Sequence, residues 1–178
     1  MKWKTSLIAT TLLLVTVSAF SQNISSKDQK IITDCKNAIE AFKQADPLLK
    51  NIFENAFGYA VFPNVGKGGL WIGGAMGNGA VYDHSGLIGM AKLTQINIGF
   101  QAGGQAYREV IFFENEDVLN RFKENKIELS ATASAVLATE GASAAAKYQN
   151  GVMIFTHVKG GLMYEASVGG QKFSFRKL

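Results

Sequence analysis

The sequence is poor in the residues that build cross-links and metal centres, with one cysteine and two histidines. Because Cys35 has no second cysteine to pair with, an internal disulfide is excluded and packing alone must stabilise the fold. His84 and His157 lack cysteine or carboxylate neighbours at the spacing that metal sites use. We therefore expect no metal site and no cofactor.

Signatures of catalysis are also missing. Asp83–Gly86 contains Asp, His and Ser, but the chain has no Gly-x-Ser-x-Gly motif, and this composition predicts a turn. Gly73–Gly79 is rich in glycine but lacks the Gly-Lys-Ser/Thr ending of a phosphate loop. Asn78 followed by Gly79 instead predicts the turn of a β-hairpin. These absences predict a protein that is not an enzyme.

The apolar run Leu7–Val17 is too short for a membrane-spanning helix, which needs about 20 residues. It follows the basic stretch Met1–Lys4 and precedes Ala19–Ser21, a pattern typical of a signal peptide cleaved after its last small residue. We expect residues 1–21 to be removed. Residues 22–178 would then form a single exported domain, periplasmic or extracellular, with no cysteine at its start for lipid attachment.

Positive charge is in small excess. The chain has 18 basic and 14 acidic residues and a formal charge of +4, of which Lys2 and Lys4 belong to the predicted signal peptide. The remaining excess is too small to support nucleic-acid binding by charge alone. We therefore expect no nucleic-acid partner.

Residues 22–57 have the pattern of a helical segment. Apolar residues recur there at spacings of three and four, which predicts one amphipathic helix: Ile31, Cys35, Ala38, Ile39 and Phe42. Asp46 followed by Pro47 is typical of the start of a helix and predicts a second, short one through Phe53.

Residues 58–178 form a glycine-rich β region, because all 19 glycines lie between Gly58 and Gly170 among short apolar runs. Short connections favour antiparallel pairing. One short mid-chain helix is predicted at Asn115–Asn125, and a strand at 127–136. We expect an α+β fold, with a curved antiparallel β-sheet or small barrel-like sheet and an N-terminal amphipathic helical segment. The predicted strands are Tyr59–Phe62, Gly69–Met76, Ala80–Tyr82, Leu87–Phe100, Ala106–Phe113, Gly151–His157, Leu162–Val168 and Lys172–Arg176.

An internal repeat marks a candidate binding site. Gly58–Leu70 matches Gly151–Leu162 with one insertion, and Lys67 and Lys159 occupy equivalent places before a Gly-Gly pair. Backbone amides at such turns can face an anion, so the pair could bind a phosphate headgroup. The alternative is a solvated lysine that protects a sheet edge. Arg108 and Lys172 complete this candidate set.

Several motifs occur in an order that resembles the SYLF family, also called the Ysc84-type lipid-binding domain, over roughly residues 30–178. The motifs are Gly58–Pro63, Lys67–Gly69, Gly73–Tyr82, Gly103–Gln105, Glu109–Phe113, Gly160–Met163 and Ser167–Phe173.

This resemblance implies a non-enzymatic domain that binds phospholipid, with phosphoinositides and actin as partners of some eukaryotic members. The family's binding surface is commonly placed at the N-terminal helix, which corresponds here to Lys27, Lys30 and Lys36. Because export would separate this chain from cytoplasmic lipids and actin, we expect anionic phospholipids of the bacterial envelope as its peripheral membrane ligand.

Two other functions remain open from the sequence. The amphipathic helix and exposed sheet edges would also suit a structural or protein-interaction module of the periplasm or cell exterior, one that forms a homo-oligomer such as a dimer or binds a protein partner. A curved sheet with aromatic-rich strands could also enclose an apolar ligand, as a carrier does.

Overall fold

A computed structural model describes residues 24–66, 74–96, 106–130, 134–159 and 166–178. The predicted signal peptide lies outside these ranges. Within them, no helix has both the length and the apolar character that crossing a membrane would require.

Two helices form the predicted N-terminal helical segment: α1 spans Ser26–Ala45 and α2 spans Leu49–Asn55. The hydroxyl of Ser25 caps α1 by accepting a 3.1 Å hydrogen bond from the backbone N–H of Asp28. The apolar face of α1 packs on the sheet, as its amphipathic pattern predicts. The buried residues of this face are Ile32, Cys35, Ala38 and Phe42.

Asp46 is buried where α1 ends, and its carboxylate joins two parts of the chain. One oxygen accepts a 3.1 Å hydrogen bond from the Leu48 N–H, and the other accepts a 2.8 Å bond from the Ser143 N–H. Burial by itself would raise the pKa of Asp46, but the accepted hydrogen bonds outweigh it and the pKa is lowered. The carboxylate therefore fastens the α1–α2 turn to the short 3-10 helix Ala142–Ala145.

The β region forms one eight-stranded sheet with the order β7-β5-β6-β4-β1-β2-β3-β8. The strands are β1 Gly58–Gly66, β2 Gly74–Asp83, β3 Gly86–Ile96, β4 Tyr107–Phe113, β5 Ser134–Leu137, β6 Val152–Val158, β7 Ala166–Ser167 and β8 Gln171–Lys177. A third helix, α3, spans Glu116–Lys123 and is capped by the side chain of Asn115. It confirms the predicted mid-chain helix.

The sheet is strongly curved, as predicted. The rings of Phe62 in β1 and Phe173 in β8 lie 5.9 Å apart, although β2 and β3 separate these strands in the sheet. α3 covers the inner face, where Phe122 packs on Phe113 with ring centroids 4.9 Å apart. α1 and α2 cover the outer face. The two faces therefore carry separate apolar cores.

The expectation of a purely antiparallel sheet is wrong at one pair. β5 runs parallel to β6, with Val136 opposite Phe155, whereas the other strand pairs are antiparallel. A parallel pair needs a crossover of about a dozen residues, and residues 138–151 supply one. The predicted strand 127–136 is confirmed at 134–136, which belong to β5, and is wrong at 127–130, where Glu128 forms only an isolated bridge with Lys172. Residues 131–133 lie outside the described ranges.

The hairpin predicted at Asn78–Gly79 is also wrong. Both residues lie inside β2, and the hairpin turn is at Asp83–Gly86, where the Asp83 carboxylate accepts hydrogen bonds from the backbone N–H and the hydroxyl of Ser85. Gly79 is needed for space: a Cβ there would lie 2.2 Å from the Val61 carbonyl oxygen. Close approach of the backbone, rather than a turn, explains this glycine.

Candidate anion-binding site

The two copies of the internal repeat lie on either side of β4, because β1 and β6 both pair with it. This pairing brings equivalent positions of the repeat, Asn64 and His157, to the same end of the sheet as Arg108. Lys159 follows β6 directly and donates a 3.2 Å hydrogen bond to the Asn64 side-chain oxygen. We call Arg108, His157, Lys159 and Asn64 the Arg108 cluster.

Arg108 and His157 are direct neighbours across the β4–β6 pair, and Arg108 Nη1 lies 3.1 Å from His157 Nδ1. Because a guanidinium only donates hydrogen bonds, Nδ1 accepts, which leaves the imidazole proton on Nε2. Burial, together with the positive charge of Arg108, lowers the pKa of His157. The imidazole is therefore neutral at pH 7.

Uncompensated positive charge is the main property of the Arg108 cluster. The pKa of Lys159 is lowered by burial, by the charge of Arg108 and by that of Lys30 on α1, while Asp34 acts in the opposite direction. Asp34 is itself bound to Lys30 at 3.0 Å. In the described part of the chain, no carboxylate forms an ion pair with Arg108 or Lys159. An anion placed here would offset the repulsion between these cations.

The sequence predicted two sets of site residues, one on the N-terminal helix and one from the repeat, and the structure brings members of both sets close together. Lys30 from the helix set lies close enough to influence Lys159 from the repeat set. Lys27 instead lines a separate cleft of about 250 Å³ beside β3 and β8. Lys36 is exposed on α1. Of the helix set, Lys30 is therefore the member whose charge acts on the Arg108 cluster.

One further predicted site residue, Lys172, is not part of the cluster. Lys172 lies on β8, where its ammonium is 3.4 Å from a carboxylate oxygen of Glu128. Lys67 lies outside the described residues. The proposed pairing of Lys67 with Lys159 therefore stays a prediction.

Two members of the cluster were missed as site residues. From the sequence, His157 was assessed only as a possible metal ligand, and Asn64 was not identified as a candidate. The repeat itself holds the signal, since both residues stand immediately before the valine that ends the matching apolar run. Among the described residues, no group of three or more His, Cys, Asp or Glu side chains could hold a metal ion.

Comparison with known proteins agrees with the resemblance seen in the sequence. Residues 94–178 match the model of the Ysc84 family, described as "Las17-binding protein actin regulator". The chain is also 30% identical, over 128 residues, to beta cell expansion factor A from Aeromonas veronii. This match covers 71% of the chain and 49% of the relative, so the chain spans about half the length of that curated relative.

Proposed function

We propose, from the membership of this chain in the Ysc84 (SYLF) family through residues 94–178, that it is a non-catalytic protein that binds anionic phospholipid. The binding is peripheral and uses the Arg108 cluster together with Lys30. The observation that carries this proposal is that Arg108 and Lys159, which form no ion pair with a described carboxylate, lie together at one end of the sheet.

The cluster offers the groups that a phosphate headgroup requires. Arg108 can present a guanidinium fork to phosphate oxygens, and Lys159 adds a compact point charge. The Asn64 side-chain amide supplies a neutral donor next to Lys159, with which it already forms a hydrogen bond. Asn64, Arg108 and His157 lie on paired strands and Lys159 follows β6 directly, so little backbone entropy is lost when a headgroup binds.

We also propose that the chain meets this lipid outside the cytoplasm. The support is the basic, apolar and small-residue pattern of residues 1–21. The mass of the protein recovered from the periplasm or medium would test it, because cleavage after Ser21 predicts a chain starting at Gln22. Recovery of the uncleaved chain from the cytoplasm would contradict export.

The alternative of dimerisation through the amphipathic helix receives less support. The apolar face of α1 is already used, since Cys35 and Phe42 are fully buried against the sheet. A dimer built on this face would have to detach α1 from the outer core, which costs the burial of these side chains.

Vesicle co-sedimentation tests the lipid proposal. The purified protein is mixed with vesicles of phosphatidylcholine alone or with added phosphatidylglycerol, and we expect it to pellet only with the anionic vesicles. Arg108→Gln combined with Lys159→Gln should weaken this binding about tenfold or more, since each cation near an anionic surface contributes about 1 kcal/mol.

Two further double variants locate the site. Lys27→Gln with Lys36→Gln removes two charges from α1, and Lys50→Gln with Lys177→Gln removes two exposed charges elsewhere. We expect both proteins to bind like the unmodified chain. Equal binding by the Arg108/Lys159 variant would move the site away from the cluster, and absence of pelleting with every vesicle would overturn lipid binding altogether.

A further inference from the structure

A second region of the molecule has the form of a ligand site and lies apart from the Arg108 cluster. It is a cavity of about 500 Å³ between α3, the segment that follows it, β6 and the 3-10 helix. Small-molecule sites occupy roughly 300–1,000 Å³. The cavity is therefore large enough for one small organic molecule.

The floor of this cavity is apolar. It is formed by side chains that belong to the inner core of the sheet and are 6–8% exposed: Ile127, Leu129, Val152 and Ile154. A ligand that covers them removes apolar surface from water, and this burial stabilises the complex.

The rim of the cavity is polar and positively charged. Arg121 and Lys147 line it with exposed side chains, and within the described ranges neither side chain forms an ion pair or hydrogen bond. The acidic side chain at the described rim, Glu128, pairs with Lys172 at 3.4 Å. The rim therefore presents two cations that form no ion pair in the described structure.

We propose that this cavity binds a small organic anion that carries its charge at one end of an apolar body, such as a medium-chain fatty acid. The carboxylate would lie at the rim with Arg121 and Lys147, and the hydrocarbon would cover the floor. Such an acid has one negative charge at one end of an apolar chain, and the cavity has cations at its rim and apolar side chains at its floor. The site does not depend on the proposed phospholipid headgroup site, with which it shares no residue.

Calorimetric titration of the purified protein with decanoate tests the proposal. Acetate has the charge without the apolar body, and decanol has the chain without the charge. We expect decanoate to bind about tenfold or more tightly than either, because each comparison ligand lacks one of the two contacts. Equal binding of decanoate and decanol, or no measurable binding of decanoate, would overturn the proposal.

Two variants test the location. Arg121→Gln with Lys147→Gln removes the rim charges and should weaken decanoate binding about tenfold. Ala145→Phe fills the cavity from an exposed position and should weaken binding without changing the charge. The Lys50→Gln, Lys177→Gln protein is the charge-matched control and should bind as the unmodified chain does. Decanoate affinity that survives both cavity variants would contradict the assignment.

Vesicle binding distinguishes this proposal from the previous one. The Arg121/Lys147 variant should keep its affinity for anionic vesicles, and the Arg108/Lys159 variant should keep its affinity for decanoate. If the Arg108/Lys159 variant lost decanoate binding while the Arg121/Lys147 variant kept it, the acid would bind at the headgroup site and the cavity proposal would be wrong.

Discussion

Gln171 on β8 donates a 2.9 Å hydrogen bond to Glu109 on β4, although three strands lie between β8 and β4 in the sheet. Gln95 and Tyr107 join the same buried group, with Tyr107 Oη donating to Gln95 Oε1 at 3.2 Å. Glu109 is fully buried, and in the described structure its second oxygen has no partner. Burial raises the pKa of Glu109 to about 8, although the hydrogen bond from Gln171 and the nearby hydroxyl of Tyr107 act in the opposite direction. The carboxyl is therefore mostly protonated at pH 7.

Glu109 should make the fold less stable as the pH rises. Below the unfolded-state pKa of about 4.3, both states are protonated. Between that value and the folded-state pKa, the unfolded chain ionises while the folded chain stays neutral, so stability falls by up to about 1.4 kcal/mol per pH unit. Glu109→Gln removes the ionisable carboxyl. As the pH rises from 5 to 8, the free energy of unfolding measured in urea should therefore increasingly exceed that of the unmodified protein.

The neighbouring Gln171 favours this substitution, because its side-chain oxygen has no partner in the described structure and can accept a hydrogen bond from an added amide. Glu140→Gln serves as the control, since Glu140 is exposed. Its stability should follow that of the unmodified chain at every pH. A Glu109→Gln protein with an unchanged pH profile would show that Glu109 ionises normally.

His157 should make lipid binding depend on pH. Because burial and Arg108 lower its pKa, the imidazole gains its proton only below the usual histidine range. Protonation adds a cation to the Arg108 cluster, so binding to phosphatidylglycerol vesicles should strengthen as the pH falls from 7 to 5. The added contribution is about 1 kcal/mol, which is about fivefold in affinity.

His157→Gln keeps a side-chain acceptor for Arg108 but cannot gain a proton, so it is the matched control for this effect. Carboxylates elsewhere also become neutral on acidification and affect both proteins alike. The prediction therefore concerns the difference between the two profiles, and superimposable profiles would rule out a role for His157.

Gly79 should tolerate no side chain. A Cβ at this position would lie 2.2 Å from the Val61 carbonyl oxygen and 2.7 Å from a ring carbon of Phe62. Gly79→Ala should therefore lower the free energy of unfolding by about 3 kcal/mol, at the upper end of the usual cost of overpacking. Gly66→Ala is the control, since its Cβ would meet Ala106 at an ordinary 3.6 Å, and it should change stability by less than about 1 kcal/mol. Equal stability of the two variants would contradict the close approach.

Cys35 should be unreactive in the folded protein. Its thiol is fully buried and donates a 3.3 Å hydrogen bond to the Val61 carbonyl, and burial raises its pKa to about 12. Reaction with a disulfide reagent at pH 8 should be about a thousandfold or more slower than in guanidinium, because exposure of the thiol requires opening that costs about 5 kcal/mol. A Cys35→Ala, Glu140→Cys protein should react at once. Rapid labelling of the unmodified chain would show that α1 detaches from the sheet.

Local signals predicted much of the fold. The spacing of Ile31, Cys35 and Phe42 identified α1, and the Asn115 cap marked the start of α3, because a helix records its buried face and its cap within a few neighbouring residues. The Asp83–Gly86 turn followed from its composition for the same reason. The hairpin predicted at Asn78–Gly79 was wrong because the sequence around a glycine does not distinguish a close backbone approach from a turn.

The candidate site could be predicted only in part. The repeat and the charge of the side chains made Lys159 and Arg108 site candidates, and the structure places them in one cluster. Lys172 was grouped with them, but it lies on β8 and pairs with Glu128. Which cations face one another depends on strand order, and strand order depends on pairings between residues far apart in sequence. The parallel pairing of β5 with β6 was missed for the same reason.

The sequence by itself determined the resemblance to SYLF domains, the helical segment followed by a glycine-rich sheet, and the repeat in which Asn64 and His157 occupy equivalent positions. Only the tertiary structure decided that β4 lies between the two repeats, so that Arg108 meets His157 and Lys159 meets Asn64. It also decided that the sheet curls enough for Gln171 to reach Glu109. Sequence periodicity shows which face of a helix or strand is buried, whereas long-range packing determines which other element contacts that face.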